Sequence, residues 1–214
     1  MLYSIEFNSS CKYGYLTYPR NYYYDEEDKC ETCGRIKHNI ILRYWPPKLS
    51  LEGGKKYPDF LRISTPFVNK CGMIISERTL RAFQTEGITG FFTEQIEILD
   101  NPKNAKSQML SEFPNYYYCY VTGKISLDYL AMHYRKKNIC SECGQYSWSR
   151  EKIGQSVLDY TTWDNSDICK LTDYPNMFVC SQKVIDVIKH NNLKGAMIAS
   201  DKDIFLTLKH LKIC

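Results

Sequence analysis

The chain has 214 residues, enough to bury a real core in one domain or two. Its content, 43% hydrophobic and 24% charged, is that of a soluble globular protein, and no stretch approaches the roughly 20 apolar residues of a membrane span. The net charge of +4 comes without a dense Lys/Arg stripe, so charge gives no reason to expect a nucleic-acid partner.

In chain order, residues 1–24 alternate aromatic and polar positions, with Tyr3, Ile5 and Phe7 leading and Tyr13, Tyr15 and Leu16 following. This period-2 spacing predicts strands. Met1 to Ser10 has no basic segment followed by an apolar run and a small-residue cleavage site, which predicts a cytoplasmic protein. In that reducing compartment, the ten cysteines favour metal binding over disulfides. Ile40 to Trp45 reads as a strand stopped by Pro46-Pro47, Leu49 to Pro58 as a loop, and Phe60 to Ile63 as a short strand. Ser76 is a helix N-cap candidate. Leu80 and Phe83 share a helix face, and Gly87 suits the left-handed position that ends a helix. A strand starts over Ile88 to Phe92 and resumes at Ile96 to Leu99. Asp100 to Asn115 is the best linker. Tyr116 to Val121 is rich in β-formers. Ser126 to Tyr134 reads as a short helix with Leu127, Leu130 and Ala131 on one face. Phe205 to Ile213 is apolar at 205, 206, 208, 211 and 213, which does not decide between helix and strand.

Two stretches carry chemistry: Cys30-Glu31-Thr32-Cys33-Gly34 and Cys140-Ser141-Glu142-Cys143-Gly144. Two residues between thiols let one tight turn aim both sulfurs at one metal ion, and a following glycine tolerates φ > 0. Together they offer the four thiolates of a tetrahedral structural zinc site on Cys30, Cys33, Cys140 and Cys143. A redox C-x-x-C would want a thioredoxin-like context, and a catalytic zinc would want an open position, usually with a histidine or water. Two separate sites or disulfides are further alternatives. Of the histidines, His38 and His133 lie near the knuckles as candidate outer-sphere groups, with packing or exposure the plainer reading. The remaining cysteines, Cys11, Cys71, Cys119, Cys169, Cys180 and Cys214, show no ligand spacing and read as core or incidental thiols. No catalytic residue is assigned. The chain lacks G-x-S-x-G, P-loop, H-E-x-x-H and dinucleotide fingerprints.

The second part of the chain echoes the first. Ser76/Ser181, Leu80/Ile185, Phe83/Ile188, Gly87/Asn192 and Gly90/Gly195 all stand 105 residues apart, and the knuckles stand 110 apart. The fold class expected is therefore mixed α+β, with two related halves of short strands plus a helix, joined by a shared zinc knuckle site of four cysteines. The halves run over residues 1–100 and 115–214, either as separate units or as one compact domain.

The double C-x-x-C-G layout resembles the double-CXXCG motif immunity proteins of bacterial polymorphic-toxin systems. Cys30/Cys33/Gly34 and Cys140/Cys143/Gly144 carry the likeness, with a downstream S-x-x-x-φ-x-x-φ helix ending in a G-φ-φ strand. The resemblance implies a cytoplasmic, non-enzymatic protein that binds and neutralises a cognate toxin by occluding it. It brings no catalytic residues. One candidate contact surface is Tyr22, Tyr23, Tyr24, Asp25, Glu26, Glu27 and Asp28, where an acidic run beside aromatics would steer a basic toxin. The plainer reading is a solvated loop beside strand tyrosines. The rival function is a zinc-ribbon module binding nucleic acid or a transcription or translation partner. The aromatics and Arg135 to Lys137 favour it; the acidic lead-in to the first knuckle does not. A thiol or zinc enzyme would need a cysteine of shifted pKa.

Overall fold

The computed structural model of the chain describes residues 1–7, 15–17, 29–35, 48–52, 57–61, 72–99, 114–131, 136–144, 147–148, 158–172 and 174–200. The first strands are β1 (Leu2–Phe7), β2 (Tyr15–Thr17), β3 (Lys48–Glu52), β4 (Phe60–Leu61) and β5 (Gly72–Ser76). Helix α1 (Glu77–Thr85) leads to β6 (Phe91–Gln95), β7 (Glu97–Leu99), β8 (Tyr116–Val121) and β9 (Gly123–Leu127). Then come β10 (Lys136–Lys137), β11 (Ser147–Trp148), β12 (Leu158–Asp159) and a 3-10 turn at Tyr160–Thr162. The described chain closes with β13 (Ile168–Leu171), β14 (Tyr174–Ser181), α2 (Gln182–His190) and β15 (Ala196–Ser200). The protein is mixed α+β, mostly strands with two helices among the described residues.

The main sheet has six strands in the order β12-β9-β13-β14-β1-β15. A second has four, β4-β5-β8-β6. A three-stranded sheet, β2-β3-β7, and a two-stranded ribbon, β10-β11, are the other sheets among the described residues. No described helix is long and apolar enough to cross a membrane.

Both helices form for local reasons. Ser76 sits in extended conformation (φ −70°, ψ 160°), and its Oγ accepts from the Thr79 N–H at 3.2 Å, meeting one orphan donor of the first turn. Glu77 adds the negative charge the N-terminus favours. Leu80 and Phe83 bury one face, and Gly87 at φ +60° ends the helix. Ser181 has nearly the same backbone angles, −71° and 164°, but makes no side-chain cap bond within its helix. Its Oγ donates instead to Asp167 Oδ1 at 2.8 Å. Asn192 takes the left-handed position, at φ +51°.

The core follows from alternation. In β14, Phe178 and Cys180 face a cluster with Ile5, Phe60, Phe83 and Ile188, under both helices. Met177 and Val179 face the opposite cluster, with Leu2, Ile125 and Leu171. The strand is buried on both sides because successive side chains point to opposite faces. Burying one such side chain stabilises by about 1.5–3 kcal/mol. The tyrosine strand β8 buries Tyr116 and Tyr118 completely and Tyr117 in part. Cys119, Cys169 and Cys180 are buried thiols, as expected of small hydrophobes.

Strand registers match across the chain. β1 lies between β14 and β15, and β8 lies between β5 and β6. Leu2 pairs with Ser181, and Tyr116 pairs with Ser76. Tyr3 pairs with Ser200, and Tyr117 pairs with Gln95. A shift of 114 residues carries β1 onto β8, and a shift of 105 carries β5-α1-β6 onto β14-α2-β15. Each strand–helix–strand unit is thus completed by a strand from the other part of the chain.

Two expectations fail. Lys48–Glu52 is a strand, not the start of a loop. Leu49 and Leu51 alternate with Ser50 and Glu52, and that period outweighs the breakers Pro46-Pro47 and Gly53-Gly54, which only bound it. No helix starts at Ser126: Ser126 and Leu127 end β9, and Tyr129–Ala131 form a turn closed by Asp128 Oδ1 accepting from the Ala131 N–H at 2.9 Å. Leu130 is 89% exposed, so no helical apolar face exists there. The expected strand at Ile40 to Trp45, the Asp100 to Asn115 linker except 114–115, and the segment Phe205 to Ile213 lie outside the described residues.

Candidate metal centre

Each knuckle is a single tight turn. The Gly34 N–H donates to the Cys30 carbonyl at 2.8 Å, and the Gly144 N–H donates to the Cys140 carbonyl at 2.9 Å. The two glycines have φ of +66° and +67°. A left-handed residue closes each turn, and for that reason glycine follows the second cysteine. The Cys30 N–H donates back to the Arg35 carbonyl at 2.8 Å, which clasps the base of the first knuckle. The second rises from the β10-β11 ribbon, whose strands pair Lys136 with Trp148 and Lys137 with Ser147. These turns give neither knuckle the helix N-terminus that a redox C-x-x-C requires.

The knuckles meet. The sulfurs of Cys30, Cys33, Cys140 and Cys143 all lie within 4.8 Å of one another. Across the knuckles, Cys30 Sγ is 3.7 Å from Cys140 Sγ, and Cys33 Sγ is 3.6 Å from Cys143 Sγ. A tetrahedron with Zn–S bonds of about 2.3 Å has edges of about 3.8 Å, so the two cross-knuckle edges are already metal-sized. The donor set, four thiols with no described histidine among them, fits a soft or borderline divalent ion. Cys30 and Cys140 are buried, and Cys33 and Cys143 are half-buried, so the site has a wet side.

The sulfurs differ electrostatically. Burial pushes the Cys30 thiol up to about 12, reinforced by the Glu142 carboxylate, whose Oε2 accepts from Cys30 Sγ at 3.2 Å. The backbone N–H groups of Cys143 and Glu142, aimed at the Cys140 sulfur, draw that thiol down to about 7. A sulfur so solvated is ready as a thiolate ligand. It also has the shifted pKa that a thiol enzyme would need, but it is buried, and a nucleophilic cysteine needs access.

Sequence reasoning brought together the four cysteines but missed the groups around them. Glu142 Oε2 also accepts from the Thr32 N–H at 3.1 Å and from Thr32 Oγ1 at 2.7 Å. Its only sequence signal is that the second residue between the thiols is a donor in one knuckle and an acceptor in the other. His38 and His133 lie outside the described residues, as do Tyr22, Tyr23, Tyr24, Asp25, Glu26, Glu27 and Asp28. No protein-family model and no curated protein matches the chain.

Proposed function

We propose that this is a non-catalytic binding protein built of two diverged halves, stapled by one structural zinc ion on Cys30, Cys33, Cys140 and Cys143. We assign it the role that the double C-x-x-C-G layout implies, binding and neutralising a cognate bacterial toxin in the cytoplasm. The observation that carries the reading is the convergence of two knuckles 110 residues apart onto one set of sulfurs within 4.8 Å. When bound, the metal supplies cross-linking and folding energy. Capture of the tagged protein from its native host tests the role. Stoichiometric recovery of one protein whose toxicity the chain titrates supports it, and recovery of nucleic acid or ribosomal or polymerase subunits contradicts it.

One surface feature favours the rival nucleic-acid reading. Phe92, 49% exposed, stacks on Tyr120 with ring centroids 4.8 Å apart, and Lys170 Nζ lies 5.3 Å from the centre of the Tyr120 ring. A base could extend such a stack beside a cation. Polynucleotide binding that weakens with salt and is lost in Phe92→Ala would establish that rival.

A further inference from the structure

The two knuckles are alike in backbone but not in side chains. Cys30 corresponds to Cys140, Thr32 to Glu142 and Gly34 to Gly144, with matched turn bonds and matched glycine φ. Across the junction, corresponding sulfurs face each other, Cys30 to Cys140 and Cys33 to Cys143. The corresponding residues Thr32 and Glu142 also face each other. Here the symmetry is broken in a complementary way: Thr32 offers two donors, its N–H and its hydroxyl, and Glu142 meets both with one carboxylate oxygen. The 2.7 Å hydroxyl contact is short, as expected for a charged acceptor.

We propose that Thr32 and Glu142 form a heterotypic clasp that positions the two knuckles for a shared metal ion and specifies that a first knuckle pairs with a second. The inference rests on the metal reading of the site. Two first knuckles would set threonine against threonine and leave no carboxylate to accept. Two second knuckles would set two carboxylates against each other beside four thiolates, a like-charge cluster that disfavours the assembly. Only the mixed pair satisfies the donors, and it sets one carboxylate rather than two beside the four thiolates. With the metal bound, Cys30 no longer carries the proton it donates to Glu142, but both Thr32 donors remain. Glu142 acts through knuckle geometry and is a positioning residue, not a ligand.

The test is cobalt(II) titration of the full chain, read by its ligand-field and thiolate charge-transfer bands and competed with a chelator. Wild type is expected to bind one cobalt with a tetrathiolate spectrum; if it binds none, the metal reading fails rather than the clasp. Glu142→Ala is expected to weaken cobalt binding about 10-fold or more with band positions unchanged, as loss of an outer-sphere partner does. Glu142→Gln, which keeps the shape and a neutral acceptor, is expected to fall between. Thr32→Val combined with Glu142→Ala is expected to be no weaker than Glu142→Ala alone, because both remove one interaction. The decisive variant exchanges the pair, Thr32→Glu with Glu142→Thr. The knuckles' symmetry then rebuilds the clasp from the opposite side, and affinity returns toward wild type. Wild-type affinity in Glu142→Ala, shifted bands that reveal a lost ligand, or no rescue in the exchanged pair would each overturn the proposal.

Discussion

Asp59 and Asp167 make the same two hydrogen bonds, one at the start of each helix. Asp59 Oδ1 accepts from Ser76 Oγ at 2.9 Å, and its Oδ2 accepts from the Lys194 N–H at 2.8 Å. Asp167 Oδ1 accepts from Ser181 Oγ at 2.8 Å, and its Oδ2 accepts from the Thr89 N–H at 3.0 Å. Each carboxylate joins the start of the nearby helix to the loop that leaves the other helix. Arg78, 3.5 Å from Asp59, and Lys183, 3.9 Å from Asp167, add a cation to each. Asp59→Ala leaves a hydroxyl and an N–H without their acceptor. It is expected to cost about 2–3 kcal/mol by denaturant unfolding, and Asp167→Ala somewhat less, since Asp167 is the more exposed. If the two variants differ by several kcal/mol, the equivalence of the latches is wrong.

The glycines of the same loops yield a second contrast. Gly90 and Gly195 have φ of +92° and +98°. A Cβ on Gly90 would sit 2.2 Å from the Ile168 carbonyl oxygen, and one on Gly195 would sit 2.4 Å from that of Phe60. Both neighbours are backbone in paired strands and cannot yield cheaply. Alanine at either position is expected to cost more than about 3 kcal/mol. Gly34 and Gly144 have open space where a Cβ would go, so alanine there costs only about 1–2 kcal/mol of left-handed strain. Thermal melts of the four variants should separate into these two classes.

These latches explain what was legible in the sequence. The helices, their serine caps and the left-handed Gly87 and Asn192 rest on local rules, and the structure has them where the spacing places them. The cysteine cluster was legible because thiol spacing is a local requirement of metal geometry. The strand exchange was not, because pairing Leu2 with Ser181 is a choice of partner across the whole chain. Asp59 and Asp167 were invisible for the same reason: their partners Lys194 and Thr89 are 135 and 78 residues away. The helix expected from Ser126 failed because three apolar positions at helical spacing are also compatible with a strand followed by a turn.

Asp164 predicts an acid-side dependence. Partial desolvation would raise its carboxyl, but the N–H groups of Ser166 and Lys124, each 3.0 Å away, hold it below the ordinary aspartate value. A depressed folded pKa contributes stability that is complete above the unfolded value of about 3.9 and is lost as pH falls through the folded value. Asp164→Asn is therefore expected to flatten the fall in unfolding free energy below about pH 4, leaving a smaller gap from wild type at the acid end. A constant gap across that range would show that the carboxylate charge plays no part.

The proposed sharing of one metal ion by Cys30, Cys33, Cys140 and Cys143 is tested most directly by metal content and melting temperature measured together on wild type, Cys30→Ser and Cys140→Ser. The expected result is one zinc ion per wild-type chain, with each substitution, one in each knuckle, removing most of that ion and lowering the melting temperature to a similar degree. Two ions per chain, metal retained in one variant but not the other, or a variant that loses its metal yet melts like wild type would contradict a single ion stapling both knuckles.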